Sequence, residues 1–296
     1  MTERAASSTA VLVCQGRAAA HGRYAVGRFS DPIAHQLLDP PDRVPVDRVR
    51  AGDVPTEGAA RMGYELVRRT GISMVPRTIA IDDAVRRHSS GQLVILGAGL
   101  DGRAWRMPEL AGTTVFEVDH PASQRDKLRR VGELAAQAAR VRYVPVDLAT
   151  ERLGAALDAA SFNREAVTTW VWEGVVPYLK AAEVRATVAQ VAELSVPGSQ
   201  LVVNYQTKSL STTVMRSVMR LVLRLARQPD PLRGEPWRSK WRPEEMREML
   251  GLHGFDVTSD RDLLMLSTGL DLPTDNDASL RNGRVAVAVR GGVGFP

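Results

Sequence analysis

The sequence is poor in the residues from which disulfides and metal centres are built. Its 296 residues include a single cysteine, Cys14, which excludes an internal disulfide and any cysteine-based metal cage. The five histidines are scattered and show no ligand spacing such as H-x-x-x-H. We therefore predict no metal site.

Long apolar runs are also lacking. No run approaches the ~18 residues that a membrane-spanning helix requires, and the N-terminus lacks the basic start and apolar segment of a signal peptide. We therefore expect a cytoplasmic protein without a membrane span. The net charge of +5 is compatible with anionic partners, but no interleaving of basic and aromatic residues predicts nucleic-acid binding.

One stretch, residues 92–121, organises the rest of the chain. Gln92 to Leu96 is an apolar run with β-branched members, which predicts a buried strand. A glycine turn follows, then a segment that can be helical, and then a second strand, Val115 to Asp119, that ends in an acid. This order is typical of the mononucleotide-binding half of a doubly wound sheet. The glycines of the turn are Gly97, Gly99 and Gly102.

The turn and the acids predict a ligand that contains adenosine. Glycines let a ligand approach the backbone closely, and an acid at the tip of the second strand, such as Asp119, can accept hydrogen bonds from ribose hydroxyls. Glu117 lies two residues earlier on the same face of the strand. The turn also matches the dinucleotide fingerprint G-x-G-x-x-G. Asp101, however, puts a negative charge where a pyrophosphate would bind, and a zwitterionic sulfonium ligand tolerates that charge better.

Strands and helices alternate after this stretch, as a parallel α/β sheet requires. An amphipathic, helical insert interrupts the alternation, and the final strand is predicted to be antiparallel. In chain order the predicted elements are helix 124–140, strand 141–146, helix 155–162, strand 168–172, helix 181–194, strand 200–205, insert 207–250, strand 255–259 and strand 284–290.

The residues before the sheet are predicted to form a helical cap. The pattern predicts helices at 9–21, 32–38, 58–70 and 77–88, with a loop rich in proline and charge at 39–55. We therefore predict four regions. They are a helical cap at 1–90, a cofactor-binding Rossmann-like core at 91–206, a helical insert or lid at 207–250, and C-terminal strands that complete the sheet at 251–296.

The insert contains an arginine stripe. Residues 214–226 are amphipathic, and four arginines fall on one helical face. Such a stripe is most often a solvated surface. Its functional interpretation is a lid that gathers an anionic acceptor, including one tethered to an acidic carrier protein. The arginines are Arg216, Arg220, Arg224 and Arg227.

Four motifs carry a family resemblance. Over nearly its whole length the chain resembles the leucine carboxyl methyltransferase-like family of S-adenosylmethionine-dependent methyltransferases, in particular its bacterial small-molecule branch. The N-terminal matches, at 9–18 and 30–32 and at Arg77-Thr78 before Asp82-Asp83, are weaker. The four motifs are LGAGLDGRAWR (96–106), VFEVDHP (115–121), VPVDL (144–148) and WEGVVPYL (172–179).

The resemblance implies a fold, a cofactor and a set of binding residues. The fold is a class I methyltransferase α/β sheet, Rossmann-like, seven-stranded and mostly parallel, with an N-terminal helical cap and a helical insert after strand five. The cofactor is S-adenosyl-L-methionine. The implied contacts are Gly97, Gly99 and Asp101 in the turn beside the methionine part, Asp119 at the ribose, Asp147 and Leu148 at the adenine, Glu173 beside the methionine, and Arg77 and Arg17 at the carboxylate.

The chain departs from the family pattern in two places. Gly102 precedes Arg103 where relatives commonly carry Thr or Ser, which makes the turn looser. Val175 and Val176 replace the more usual leucines.

The methyl acceptor is less well specified than the cofactor. Tyr178, Tyr205 and His120 lie near strand ends and are the acceptor-side candidates, although each is also compatible with a structural role. A carboxylate is already deprotonated near pH 7, whereas an alcohol or phenol would need a base, and no compelling base is evident. We therefore predict O-methylation of a small molecule such as a secondary metabolite, with a carboxylate favoured over a hydroxyl. A nucleotide-dependent oxidoreductase and a non-catalytic cofactor-binding protein stay open as alternatives.

Overall fold

Seven strands in the described part of the chain form one sheet, in the order β3-β2-β1-β4-β5-β7-β6. The computed structural model describes residues 7–56, 58–148, 151–207, 237–273 and 280–292. The strands are β1 (Gln92–Leu96), β2 (Thr114–Asp119), β3 (Arg140–Pro145), β4 (Thr168–Trp172), β5 (Gln200–Gln206), β6 (Phe255–Asp262) and β7 (Gly283–Arg290). Strands β1 to β5 are parallel, and β7 runs antiparallel between β5 and β6. The predicted fold class is confirmed, and so is the antiparallel final strand.

Helices surround this sheet. In the described residues they are α1 (Ser8–Ala20), α2 (Pro40–Ala51), α3 (Gly58–His88), α4 (Arg103–Arg106), α5 (Pro121–Val131), α6 (Leu153–Ala159), α7 (Ala181–Glu193), α8 (Pro243–Leu252) and α9 (Leu263–Ser267). None of the described helices is long and apolar enough to cross a membrane.

The sheet separates two apolar cores because side chains alternate between its faces. On β1, Leu93 and Ile95 join the core under α1, α2 and α3. Val94 and Leu96 join the core under α6, α7 and α8. Every residue of β1 and β4 is buried, as expected of central strands covered on both faces.

The N-terminal region differs from its prediction in two places. Residues 39–55 were predicted as a loop, but 40–51 form α2. Two of its prolines stand at the first positions of the helix, where a missing N–H costs nothing, and the third, Pro45, lies inside it. Val46 and Val49 anchor this helix in the core. Conversely, the helix predicted at 32–38 is a run of turns, in which Asp31 accepts a hydrogen bond from the Ala34 amide.

The two helices predicted at 58–70 and 77–88 are one helix, α3, which continues through Pro76. Ile72, Val75 and Ile79 are buried on either side of the proline, so packing holds the helix together where propensity would end it. Helix α3 packs against α1 and α2 and also contacts β4, β5 and β7. It therefore joins the N-terminal helices to the sheet.

Two further predictions are corrected or fall outside the described residues. The helix predicted at 124–140 is α5 and ends at Val131, because Gly132 takes a positive φ of 52° and redirects the chain. Residues 208–236, which contain the predicted helix 214–226 and its arginine stripe, lie outside the described part of the chain. The boundaries of the four predicted regions stay predictions.

Candidate active site

A cavity of about 390 Å³ lies where β1, β2 and β4 end. This volume falls in the range of small-molecule sites, and the carboxyl ends of parallel strands are where open α/β sheets bind ligands. Its wall is built from α1, the glycine turn, the tip of β2, α3 and the segment after β4. The predicted residues that line it are Arg17, Arg77, Gly97, Gly99, Asp101, Asp119, Glu173 and Tyr178.

The glycine turn forms the floor of the cavity. Gly97 and Gly99 have φ of 67° and 47°, a region that side chains disfavour. The amides of Gly97 and Ala98 donate to the Val118 carbonyl at 2.8 and 3.1 Å, which ties the turn to β2. A Cβ at Gly97 would collide with Val175. This position therefore accepts only glycine and brings bare backbone to the cavity.

Asp119 stands at the tip of β2 and faces the turn. Its carboxylate accepts hydrogen bonds from the amides of Gly99, at 2.5 Å, and His120, at 2.6 Å. Burial raises the pKa of Asp119, while these two hydrogen bonds oppose the rise. A carboxylate has about four lone-pair sites, so Asp119 keeps acceptor capacity for a ligand's hydroxyls.

Two arginines supply positive charge to the cavity. The Arg17 guanidinium donates to Asp31 at 2.8 Å and to the Leu100 carbonyl at 2.6 Å. Arg77 donates from Nε to Glu173 at 2.7 Å. Among the described residues, the terminal nitrogens of Arg77 have no hydrogen-bond partner. They are thus available to an anionic group in the cavity.

The pKa values of Arg77 and Glu173 are both lowered, which disfavours the charged form of Arg77 but favours that of Glu173. Burial lowers the pKa of Arg77; its partner Glu173 opposes this, and neighbouring Arg17 and Arg103 add to it. Burial alone would raise the pKa of Glu173, but Arg77, Arg103 and Arg17 hold it well below its usual range. The cation is thus the less well compensated of the two groups, which favours an added anion.

Arg103, which the sequence analysis did not include among the site residues, connects the acids of the site. Its side chain is 2% exposed and pairs with Asp82 at 2.8 Å, with Glu173 at 2.8 Å and with Asp101. Its backbone amide also donates to Asp101 at 2.7 Å. The three acids come from α3, from the turn and from the end of β4, so Arg103 fastens three elements together.

Arg103 belongs to a longer series of ion pairs that we call the buried ion chain. Starting from Arg103, Asp82 also pairs with Arg106 at 2.6 Å, and Arg106 lies 3.5 Å from Asp31. Asp31 holds Arg17, so the chain joins the two cavity arginines through alternating charges. Its members are Arg17, Asp31, Arg106, Asp82, Arg103, Glu173 and Arg77, with Asp101 as a branch.

Four predicted residues do not line the cavity. Asp147 and Leu148 follow β3; the Asp147 amide donates to Glu151 at 2.8 Å, and Leu148 packs against the core. His120 caps α5 by accepting from the Ala122 amide at 3.2 Å. Tyr205 is fully buried and donates to Asp260 at 2.6 Å. The structure thus places His120 and Tyr205 outside the cavity lining, each with a hydrogen-bond partner of its own, and their assignment to the acceptor side stays a prediction.

Glu117, predicted to share a strand face with Asp119, is also outside the cavity lining. It is fully buried and pairs with Lys127 at 2.6 Å, while Lys127 also lies 4.9 Å from the Trp105 ring centre. Within the described part of the chain, the second carboxylate oxygen of Glu117 is buried without a hydrogen-bond partner. Burial raises the pKa of Glu117 to about 7 against the opposing effect of Lys127.

Several cavity residues were not predicted as site residues, and two of them, Ser123 and Arg238, lie in none of the matched motifs. Thr9 and Val13 lie on α1, Ser123 on α5, and Arg238 precedes α8. The Thr9 hydroxyl is buried and has no hydrogen-bond partner among the residues that the structure describes. Arg238 adds a third arginine to the lining.

The geometry does not favour a pyrophosphate. The helix after the turn, α4, has four residues, too few to align a helix dipole on a phosphate. Asp101 lines the cavity at that point and is tied to Arg103. Both observations agree with the expectation drawn from the acid in the turn.

Comparison with known proteins gives one consistent family. The family model described as leucine carboxyl methyltransferase matches residues 10–192. A curated relative from Mycobacterium sp. (strain JLS), provisionally named an S-adenosyl-L-methionine-dependent methyltransferase, is 38% identical over 66% of this chain and 65% of its own length. A relative of the same provisional name from Mycobacterium avium (strain 104) is 32% identical over 90% of this chain and 89% of its own.

A solved structure supports the same fold. A protein from Thermobifida fusca YX, provisionally described as a methyltransferase, covers 94% of both chains at 16% identity with a TM-score of 0.54. At this level of identity the likeness concerns the fold alone.

Proposed function

The chain belongs to the leucine carboxyl methyltransferase family, and from this premise we propose that it transfers a methyl group from S-adenosylmethionine to a small-molecule acceptor. The transfer is an O-methylation in which a carboxylate acceptor is favoured over a hydroxyl. The acceptor is a small molecule such as a secondary metabolite, free or tethered to a carrier protein.

One observation carries the proposal. The glycine turn, Asp119 and the arginine pair Arg17 and Arg77, predicted from separate motifs, all line the same cavity. An adenosine with a zwitterionic amino-acid tail needs a hydrogen-bond acceptor for its ribose hydroxyls at one end. At the other end it needs a cation for its carboxylate and an anion for its amine. The cavity offers Asp119 for the first need and Arg77 beside Glu173 for the second.

The residues present fit this cofactor. When bound, S-adenosylmethionine supplies a methyl group activated on a sulfonium sulfur. Asp119 would hold the ribose, and the free nitrogens of Arg77, with Arg17, would hold the carboxylate. The predicted adenine contacts, Asp147 and Leu148, lie outside the cavity lining and stay predictions of the resemblance.

The protein's contribution to the reaction is mainly positioning. Holding an acceptor near an activated group can supply roughly 7–11 kcal/mol of the barrier. Tyr178 and Arg238 also line the cavity. Neither is needed as a base for a carboxylate, which is ionised near pH 7. Asp119, the cavity carboxylate with a raised pKa, already accepts two backbone hydrogen bonds and is assigned to the ribose, so the proposal assigns no base, which favours the carboxylate over the alcohol.

Calorimetric titration tests the cofactor. Wild-type protein is titrated with S-adenosylmethionine, S-adenosylhomocysteine and NAD(H), and the variant Asp119→Ala is compared with Asp158→Ala, which removes an exposed acid paired with Arg164. We expect micromolar binding of the two sulfur ligands, a loss of at least about tenfold in Asp119→Ala, and no change in Asp158→Ala. Tight NAD(H) binding without the sulfur ligands would instead support an oxidoreductase.

The acceptor class is tested with matched pairs of molecules. Transfer of labelled methyl groups to small carboxylic acids is compared with transfer to the corresponding alcohols. Methyl esters from the acids support the proposal, whereas ethers from the alcohols alone refute the carboxylate preference. Cofactor binding without product from either series would favour the non-catalytic alternative.

A further inference from the structure

Arg77 and Glu173, the two residues proposed to bind the amino-acid end of the cofactor, are joined by a single hydrogen bond. Arg77 uses only Nε, and Glu173 uses only Oε1, at 2.7 Å. A guanidinium and a carboxylate ordinarily prefer two parallel hydrogen bonds. The one-point contact therefore needs a cause, since a two-point contact would occupy a terminal nitrogen of Arg77.

Arg103 is that cause. Its guanidinium holds the other carboxylate oxygen, Glu173 Oε2, at 2.8 Å. Arg103 is itself fixed by Asp82 at 2.8 Å and by Asp101, so it cannot follow Glu173 if that side chain turns. With Oε2 occupied, Glu173 is unable to turn both oxygens towards Arg77.

We infer that Arg103 is a positioning residue that keeps the terminal nitrogens of Arg77 available for the cofactor's carboxylate, and this rests on the function proposed above. Arg103 does not line the cavity and does not touch the ligand. It acts through Glu173 on Arg77, and through Asp101 on the glycine turn. Loss of Arg103 would let Glu173 close onto Arg77 and would leave Asp101 without its cation.

This mechanism makes a prediction that general loosening of the fold does not. Only the amino-acid end of the ligand should be affected, because Asp119 and the adenosine end have no contact with Arg103. S-adenosylhomocysteine carries the amino acid. 5′-Methylthioadenosine carries the same adenosine and sulfur without it. The ratio of the two dissociation constants therefore isolates the role of Arg103.

The experiment measures both dissociation constants for wild type, Arg103→Met and Arg103→Lys. The control is Arg130→Met, since Arg130 is equally buried but pairs with Asp39, Asp42 and Asp126 outside the cavity lining. We expect Arg103→Met to weaken S-adenosylhomocysteine at least about tenfold and 5′-methylthioadenosine less than about threefold. Arg103→Lys, which lacks the forked donor, should lie in between, and Arg130→Met should leave the ratio unchanged.

Other outcomes overturn the inference. Equal weakening of both ligands in Arg103→Met would show loss of structure, and no weakening would show that Glu173 needs no second cation. If Arg103→Met does not fold, Arg103→Lys and Glu173→Gln must still shift the ratio in the same direction, or the inference fails. If wild type binds neither S-adenosylmethionine nor S-adenosylhomocysteine, it is the proposed function that fails.

Discussion

The buried ion chain and the Glu117–Lys127 pair bury charge in different ways. In the chain each acid contacts at least one arginine, and Asp31, Asp82 and Glu173 each contact two. The pair leaves one oxygen of Glu117 without a partner. Correspondingly, the pKa of Glu173 is lowered despite burial, whereas that of Glu117 is raised by it.

The difference shows what compensates for the cost of burying charge. Removing ions from water is costly, and the cost is recovered only where several hydrogen bonds satisfy each group. The acids of the ion chain meet that condition, although Nε of its Arg106 is buried without a hydrogen-bond partner among the described residues. The ion chain lines a cavity at both ends through Arg17 and Arg77. The pair does not meet it and lines no part of that cavity. The number of ion-pair partners of each buried acid thus distinguishes the charges at the site from the Glu117–Lys127 pair.

Among the substitutions considered, Asp82→Ala is expected to disrupt the buried ion chain most severely. Asp82 is paired with both Arg103 and Arg106, so its loss leaves two buried cations with fewer partners. We expect a loss of about 3–5 kcal/mol in the free energy of unfolding, measured by urea denaturation. Asp83→Ala is the control; that neighbouring acid is 31% exposed and pairs only at the surface, and its loss should cost about 1 kcal/mol or less. Similar losses in the two variants would contradict the comparison.

The contribution of Glu117 to the stability of the fold depends on pH in the opposite direction to that of Glu173. Its pKa in the folded protein is raised to about 7 from 4.5, so the folded state holds a proton that the unfolded state has lost. Its contribution to stability therefore falls as pH rises from about 4.5 to 7, by on the order of 2–3 kcal/mol. Glu173, with a lowered pKa, has the opposite sign: its contribution is present above its unfolded pKa and is lost on acidification.

The measurement is the unfolding free energy of wild type and Glu117→Gln between pH 5 and 7. The difference, wild type minus variant, should decrease steadily as pH rises. A difference that does not change with pH would show that Lys127 compensates Glu117 fully, and the contrast with the ion chain would disappear.

Tyr205→Phe gives the smallest expected effect. The variant removes a hydrogen bond to Asp260, which also pairs with Arg284 at 2.9 Å, and we expect a loss of about 1–2 kcal/mol in unfolding free energy. Binding of S-adenosylhomocysteine should not change, because Tyr205 lies outside the cavity. Tyr178→Phe should leave stability nearly unchanged, since Tyr178 lines the cavity. Weaker cofactor binding in Tyr205→Phe would contradict its placement as a structural residue.

Much of the sheet could be predicted from local pattern. The bounds of β1 and β4 agree with their predictions because both strands are short runs rich in β-branched and large apolar residues that are buried on both faces. The helices were harder to predict from the sequence. Residues 40–51 carry three prolines and few apolar side chains, so only the tertiary burial of Val46 and Val49 explains α2.

The site could be predicted only in part, for a related reason. Asp119 and the glycine turn are adjacent in a motif, so their role follows from sequence. The three acids that Arg103 contacts are Asp82, Asp101 and Glu173, which lie 21, 2 and 70 positions away from it along the chain. No local pattern links them, and an arginine beside a turn ordinarily predicts a surface residue. Arg238 lies outside every matched motif, and Thr9 lies in the weak match at 9–18, where no pattern distinguishes it from its neighbours.

The position of β7 has a consequence for synthesis of the protein. Among the described strands β7 is the last to leave the ribosome, yet it fills the gap between β5 and β6. Until it arrives, β6 has no strand to pair with and β5 presents an open edge. Nascent chains that stop before residue 283 therefore expose two unpaired strand edges, which are templates for aggregation. Productive folding of this sheet is expected to finish only after translation of β7, and a chaperone that shields β5 and β6 until then would raise the yield.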